Sequence, residues 1–79
     1  MMGLFARLFS RPERELDRLI EEIDINLSNN YKSVAHAARI KLGERVAELY
    51  SLSQISEDCY RHYNRVYEQY TEKMKNYRH

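Results

Sequence analysis

The residues best suited to metal chemistry lie in the last third of the chain. Cys59 and His62 form a Cys-x-x-His pair, and Asp58 stands four residues before His62. Either pair can supply one edge of a zinc site, but a site needs further ligands, and neither a second cysteine nor a His-x₃-His pair occurs. We therefore predict no metal and no cofactor, with Cys59 as a small helix residue near a turn and His62 on a polar face.

Candidates for catalysis are equally sparse. His36 stands among alanines, and His79 is the last residue printed. Ser/His/Asp or Cys/His catalysis needs a pocket and an oxyanion site, and a few helices offer little to build either from. Neither of the glycine-rich phosphate-binding sequences, Gly-x₄-Gly-Lys-Ser/Thr and Gly-x-Gly-x₂-Gly, is present. We expect no catalytic residues and a noncatalytic protein.

The most regular pattern is a row of tyrosines near the end of the sequence. Its members alternate at gaps of three and four residues, the a/d spacing of a helix that packs on another helix. We call this row the tyrosine seam; it consists of Tyr60, Tyr63, Tyr67, Tyr70, Met74 and Tyr77. Because a buried tyrosine hydroxyl needs a partner, we expect covered rings with hydroxyls at a wet rim, an arrangement typical of protein interfaces.

Basic side chains alternate with the residues of the seam, so this helix could in principle bind nucleic acid. Single strands bind where cations line a row of stacking aromatic rings. Here the rings are expected to be buried, and acidic residues dilute the charge, so nucleic acid is not the expected partner. A small nucleic-acid-associated regulator that uses the basic side of the C-terminal helix is kept as the alternative. The cations concerned are Arg61, Arg65, Lys73, Lys75 and Arg78.

A first helix is predicted from residue 11 to about 28. Ser10, Pro12 and Glu13 are residue types that favour a helix start. The residues that follow recur at helical spacing and form an apolar stripe: Leu16, Leu19, Ile20, Ile23 and Leu27. Ile25 falls outside the stripe and is expected to be exposed. The acidic residues Glu21, Glu22 and Asp24 are expected to face away from the core.

The sequence leaves the joint at residues 28–33 undecided. Ser28, Asn29 and Asn30 are poor helix formers and good caps, which favours a break. Two observations favour continuity instead. The joint contains no glycine or proline, and the apolar residues before and after it follow the same eleven-residue repeat. Such a repeat fits one straight helix of about 40 residues. A break predicts a three-helix bundle, whereas continuity predicts a long-helix hairpin that completes a bundle in a homodimer.

The rest of the chain is predicted to form an antiparallel hairpin of residues 31–52 and 57–77. The first of these helices has a predicted apolar stripe with Ala35 beside it: Tyr31, Val34, Ala38, Leu42, Val46, Leu49 and Leu52. Ser56 is the expected N-cap of the last helix, and Gly43 marks either a close helix approach or a neutral surface position. A turn at 53–56 pairs residues whose numbers sum to about 108–109. The predicted layers are Leu49 with Tyr60, Val46 with Tyr63, Leu42 with Tyr67, Ala38 with Tyr70, Val34 with Met74, and Tyr31 with Tyr77.

Residues 1–10 form a separate lead ahead of a single helical domain at 11–79. Four apolar side chains share one helical face of this lead: Leu4, Phe5, Leu8 and Phe9. The lead is too short and too interrupted for a signal-peptide core. Three interpretations stand: a flexible tail, a segment that docks on the bundle or on a second subunit, or a weak contact with a membrane surface.

Composition limits the function classes further. A chain of 79 residues buries only about 60–65% of its unfolded surface, so self-association is a standing possibility. The net charge of +1 gives no overall electrostatic attraction to nucleic acid or to a membrane. A lone cysteine is typical of proteins in the reducing cytoplasm. We therefore expect an all-α, cytoplasmic protein-protein interaction or assembly module, with a protein partner or a second copy of itself.

Overall fold

The computed structural model describes residues 11–75, which form three α-helices and two connecting turns. Helix α1 spans Arg11–Ser28, α2 spans Lys32–Ser51 and α3 spans Glu57–Lys73. The chain runs up, down and up, so α1 and α3 are parallel and both are antiparallel to α2. The prediction of an all-α fold is confirmed, and of its two forms the three-helix bundle is the one adopted.

The break between α1 and α2 is produced by a hydrogen-bonded turn that contains no glycine. Asn30 has a φ of 64°, the left-handed conformation that asparagine tolerates better than most residues. The amide of Tyr31 donates to the carbonyl of Asn26 (2.7 Å), and that of Asn30 donates to Leu27 (3.1 Å). These two bonds form a Schellman motif, which satisfies the last carbonyls of α1 and reverses the chain.

A Schellman motif also ends α2. Ser53 has a φ of 59°, and the amides of Gln54 and Ser53 donate to the carbonyls of Leu49 (2.9 Å) and Tyr50 (3.0 Å). Helix α3 then starts as predicted, because the Ser56 hydroxyl accepts a hydrogen bond from the Cys59 amide at 3.1 Å. It ends at Lys73, four residues earlier than predicted. Ser10, the lead at 1–10 and Tyr77 lie outside the described residues.

The core is formed by all three helices and by the second turn. Leu16, Leu42 and Leu49 are fully buried, and Ile55 of the turn closes the core at one end. The predicted stripe of α1 lies inward, and Ile25 is exposed as expected. The predicted stripe of α2 is wrong at its ends. Ala35 is buried there instead, whereas three predicted stripe members are exposed: Tyr31, Val34 and Leu52.

The hairpin of α2 and α3 forms close to the predicted register. Tyr50 stacks on Tyr60 with ring centroids 4.4 Å apart, and Gly43 lies against the ring of Tyr67. These facing residues have numbers that sum to 110 rather than 108–109, so the true register is shifted by one to two residues. Tyr60, predicted to meet Leu49, stacks on Tyr50, and Val34, predicted to meet the buried Met74, is 53% exposed.

Candidate interaction surfaces

Tyrosine hydroxyls of α3 join α1 through its carboxylates. The hydroxyl of Tyr63 donates to Asp17 Oδ1 at 2.7 Å, and that of Tyr70 donates to Asp24 Oδ1. Both pairs are 46 positions apart in the sequence, and the two aspartates and the two tyrosines are each spaced by seven residues. The parallel arrangement of α1 and α3 therefore repeats one contact two turns later. Asp24 is exposed, as expected, and its carboxylate accepts the hydrogen bond from Tyr70 of α3.

These contacts hold both tyrosines in the neutral form. Burial and the hydrogen bond to Asp17 raise the pKa of Tyr63 well above its usual value. Burial and the hydrogen bond to Asp24 raise the pKa of Tyr70 to about 12. A phenol that stays protonated and donates to a carboxylate is a structural pair. It joins two helices and leaves neither hydroxyl ready to act as a base near neutral pH.

Cys59 belongs to the same line of contacts between α1 and α3. Its Sγ donates to Glu13 Oε2 at 3.4 Å, again 46 positions away. Burial, together with Glu13, raises the pKa of the Cys59 thiol to about 11, so it is protonated at neutral pH and is a poor nucleophile or metal ligand. His62 packs edge-on against Tyr63. Among residues 11–75 no group of three or more His, Cys, Asp and Glu side chains is placed to hold a metal ion.

Helix α1 is joined to α2 by a two-pronged ion pair. Arg45 donates through Nε to Glu15 Oε2 at 2.6 Å and through Nη2 to Glu15 Oε1 at 3.1 Å, and its Nη1 donates to Glu48 at 2.8 Å. The hydrogen bond from Arg45 lowers the pKa of Glu15, and the same contacts raise the pKa of Arg45. Both side chains are partly exposed, so the pair orients the helices more than it stabilises them.

From Tyr60 to Met74, the tyrosine seam lies against the core. Tyr63 and Met74 are buried, while Tyr60, Tyr67 and Tyr70 are half-buried and pack on the core residues. Tyr67 covers Gly43, and the guanidinium of Arg39 lies 5.8 Å from the centre of its ring. The seam rings are thus largely occupied by contacts within the bundle.

The basic side of α3 is partly neutralised by its own helix. Arg61 pairs with Glu57 at 2.6 Å, Lys75 pairs with Glu72 at 3.5 Å, and Lys73 lies 6.0 Å from the ring centre of Tyr70. Stacking of bases on the seam would require the covered rings to leave the core. Within residues 57–75, Arg65 is exposed, but its neighbouring cations are engaged and the rings are covered, whereas single-strand binding combines a row of cations with free aromatic rings.

The outer face of α2 has the composition of a packing surface, although it is exposed. We give this name to the row Ser33, Ala37, Ile40, Glu44, Ala47 and Ser51, whose members alternate at gaps of four and three residues. All six are exposed, and Ile40, the large apolar member, is 48% accessible. Val34 and Leu52 lie at the flank between this face and the buried one and are 53% and 56% accessible.

The outer face of α1 is different, because it carries a row of arginines. Arg11, Arg14 and Arg18 are spaced by three and four residues, are exposed, and line an open depression of about 300 Å³ together with Glu15. Within residues 11–75 none of the three forms an ion pair of its own. We call them the arginine row.

Neither outer face was singled out from the sequence. For α2 the signal was the mixed pattern, because Ile40 and Ala47 do not belong to the inner stripe and still recur at helical spacing. For α1 the acidic residues between the arginines hid the row until the structure showed which way each side chain points. The predicted contact residues Leu4, Phe5, Leu8 and Phe9 lie outside the described range.

Two further findings bear on function. No helix within residues 11–75 has both the length and the apolar composition needed to cross a membrane. In comparisons with known proteins, no family model, no curated protein and no solved structure matches this chain.

Proposed function

We propose that this protein is a noncatalytic assembly module that pairs with a second copy of itself through the outer face of α2. The observation that carries the proposal is an exposed row with helical spacing on the side of α2 opposite its buried face, with Ile40, 48% exposed, as its large apolar member. A surface helix of a monomer is expected to be polar on its solvent side. Apolar residues on both faces are typical of a helix covered on both sides.

The spacing of the outer face supports a helix as the covering element. Gaps of four and three residues place the six row members along one line of α2, as in the seam of a helix pair. Serine and alanine at four of these positions allow the backbone of a second helix to approach closely, near the lower end of the 8–10 Å range between packed helix axes. Ile40 then supplies the large side chain at the middle of the contact.

The face is also complementary to itself in the antiparallel direction. When residues whose numbers sum to 84 are opposed, Ala37 meets Ala47 of the second copy and Ser33 meets its Ser51. Ile40 lies on the methylene groups of Glu44 of the second copy, with Lys41 beside that carboxylate. Two-fold symmetry makes each of these contacts twice. The same symmetry brings Val34 within one helical turn of Leu52 of the second copy.

The size of the contact predicts a weak dimer. Helix α2 has 20 residues and is therefore about 30 Å long, so the buried area lies at the small end for specific interfaces. We expect a dissociation constant on the order of 1–100 μM. Weak pairing of this kind suits an assembly module that forms only where its concentration is high. We place it in the cytoplasm, where the lone Cys59 stays reduced.

The solution mass over a range of concentrations tests the proposal. Light scattering is expected to rise from the 9.6 kDa of one chain toward twice that value as the concentration passes the dissociation constant. Ile40→Glu puts a carboxylate against Glu44 of the second copy and should hold the protein at the mass of one chain, with its helical circular dichroism unchanged. Ile25→Glu, at an equally exposed isoleucine of α1, is the matched control and should still dimerise.

Crosslinking tests the antiparallel register separately. In a Cys59→Ala background, Ala37→Cys and Ala47→Cys variants should form disulfides efficiently when mixed, because the two positions face each other across the two-fold axis. Each variant alone should crosslink poorly, since its own copies are then about ten residues out of register, roughly 15 Å along the helix. A mass of one chain at every concentration contradicts self-association, and a dimer unaffected by Ile40→Glu contradicts this face.

A further inference from the structure

The outer face of α1 carries both signs of charge, separated along the helix. Its first half holds the arginine row. Its second half holds the exposed carboxylates of Glu21 and Glu22 and the side chain of Ile25, which is 54% exposed. Spacings of three and four residues place all of these side chains along one side of α1. The face is therefore bipolar, basic near the start of the helix and acidic toward its end.

These charges have no ion-pair partner in the described part of the chain. Within residues 11–75, neither the arginine row nor Glu21 or Glu22 forms an ion pair, and Glu15 at the edge of the face is held by Arg45. Arg18 stands three and four residues before the two glutamates. A cation that precedes its acid is the less favourable order for a pair within one helix. The charges of this face are thus available to a partner.

The order of charges on this face is the reverse of what a single helix favours. Acidic side chains stabilise the start of a helix and basic side chains stabilise its end. The outer face of α1 instead starts with arginines, and no basic residue stands in the last turn of the helix. A second α1 that lies antiparallel compensates for both ends, because its acids lie beside the arginines and its Arg11 lies beside the last turn.

We propose that the outer face of α1 is a second self-association surface, on which α1 of another copy lies antiparallel. When residues whose numbers sum to 39 are opposed, Arg18 meets Glu21 of the second copy, and two-fold symmetry makes this contact twice. The methylene groups of Arg14 lie on Ile25 of the second copy, within one turn of its Glu22. Parallel pairing would oppose arginine to arginine and carboxylate to carboxylate, so charge selects the antiparallel direction.

This surface is independent of the pairing through α2, because it uses a different helix and different residues. A copy already paired through α2 keeps its α1 face free, so the two contacts together join dimers into larger assemblies. Exposed ion pairs contribute little each, and we expect a dissociation constant on the order of 0.1–1 mM at low ionic strength. At about 1 M salt the Debye length is about 3 Å, and only the pairing through α2 remains.

Solution mass at low and high salt tests the proposal. The Ile40→Glu background, which lacks the α2 contact, isolates α1. At about 0.5 mM protein its mass should rise from the 9.6 kDa of one chain toward twice that value as salt falls from about 1 M to about 10 mM. The wild-type protein should exceed the mass of two chains at low salt and return to that of the α2 pair at high salt.

Charge reversal identifies the face. In the same background, Arg14→Glu/Arg18→Glu places acids at all four central positions, and Glu21→Arg/Glu22→Arg places arginines there. Each variant alone should associate at least about tenfold more weakly, with its circular dichroism unchanged, because like charges then oppose each other. An equal mixture of the two should recover the pair, since an acidic face then meets a basic one.

The matched control is Arg61→Glu/Arg65→Glu, which has the same net charge as Arg14→Glu/Arg18→Glu and leaves α1 unchanged. It should pair at low salt as the background does, and it should not bind a labelled Glu21→Arg/Glu22→Arg protein in sedimentation. A mass that salt does not change, pairing that either α1 variant keeps, or a mixture that fails to pair overturns this surface. None of these results bears on α2, whose pairing is measured at high salt by comparing wild type with Ile40→Glu.

Discussion

At the residue scale, the tyrosine hydroxyls do more to arrange the molecule than their aromatic rings suggest. Tyr63 and Tyr70 are each attached to an aspartate of α1, and these two bonds fix the parallel alignment of α1 and α3. Leucine at the same positions would pack on the core but would leave the position of α3 along the axis of α1 less defined. A hydrogen bond to a charged group contributes about 1.5–3 kcal/mol when buried and less where water competes.

Stability at high pH should report these two bonds. The pKa of Tyr70 is raised from 10.0 to about 12, and that of Tyr63 is also raised, so the folded state holds both protons more tightly than the unfolded state. Their stabilising contribution is complete below pH 10 and is lost as the pH rises through the folded pKa values. We expect the free energy of unfolding to fall from pH 10 upward by at most about 1.4 kcal/mol per pH unit for each tyrosine, and by less for the more exposed Tyr70.

Urea unfolding at a series of pH values provides the measurement. Tyr63→Phe/Tyr70→Phe should be less stable than wild type at pH 8 and should show a flatter decline above pH 10. Tyr31→Phe, at a tyrosine that is 61% exposed, is the control and should keep the wild-type decline. An equally steep decline in the double variant would mean that other groups cause it.

At the scale of the elements, α2 and α3 approach each other most closely at Gly43. A Cβ placed there would lie 2.6–3.0 Å from three ring atoms of Tyr67, closer than carbon atoms pack. Helix propensity predicts that alanine stabilises this position by about 1 kcal/mol, whereas the contact predicts a cost. Because the ring is held by Arg39 and by the core, we expect the contact to dominate.

A double-mutant cycle separates the two effects. Gly43→Ala alone should lower the free energy of unfolding by roughly 1 kcal/mol, because the ring of Tyr67 must shift. In a Tyr67→Ala background the same substitution should raise it by up to about 1 kcal/mol, as propensity then acts alone. Chemical denaturation of the four proteins yields both values, and the same sign in both backgrounds would exclude the close approach.

The helices themselves were accessible from the sequence, and their mutual arrangement was only partly so. Stripes and caps predicted α1 and the start of α3 because local chemistry decides them. The sequence left the break at Asn30 undecided, because the left-handed position of a Schellman motif is usually glycine and here is asparagine. The bonds from Tyr63 to Asp17 and from Tyr70 to Asp24 join distant segments. Their equal spacing of seven residues was visible, but the parallel alignment that brings them together was not.

The same limit applies to the candidate surfaces. Helical periodicity alone assigns Val34 and Leu52 to the buried stripe of α2, because both lie next to its inner face. Their exposure follows from the position of α1, which no local pattern specifies. For the arginine row, the sequence shows mixed charge over residues 11–18. The pairing of Glu13, Glu15 and Asp17 with the other helices leaves the three arginines exposed, with the exposed Glu21 and Glu22 on the same face of α1.

At the scale of the whole molecule, the proposed pairing through α2 determines where the other two helices lie in the dimer. The two-fold axis of an antiparallel α2 pair is perpendicular to the helices and lies in the plane of contact between the copies. Rotation about it leaves both copies of α1 on one side of the plane through the two α2 axes and both copies of α3 on the other. The outer faces of the two α1 helices therefore point to the same side of the dimer, and those of the two α3 helices point to the opposite side.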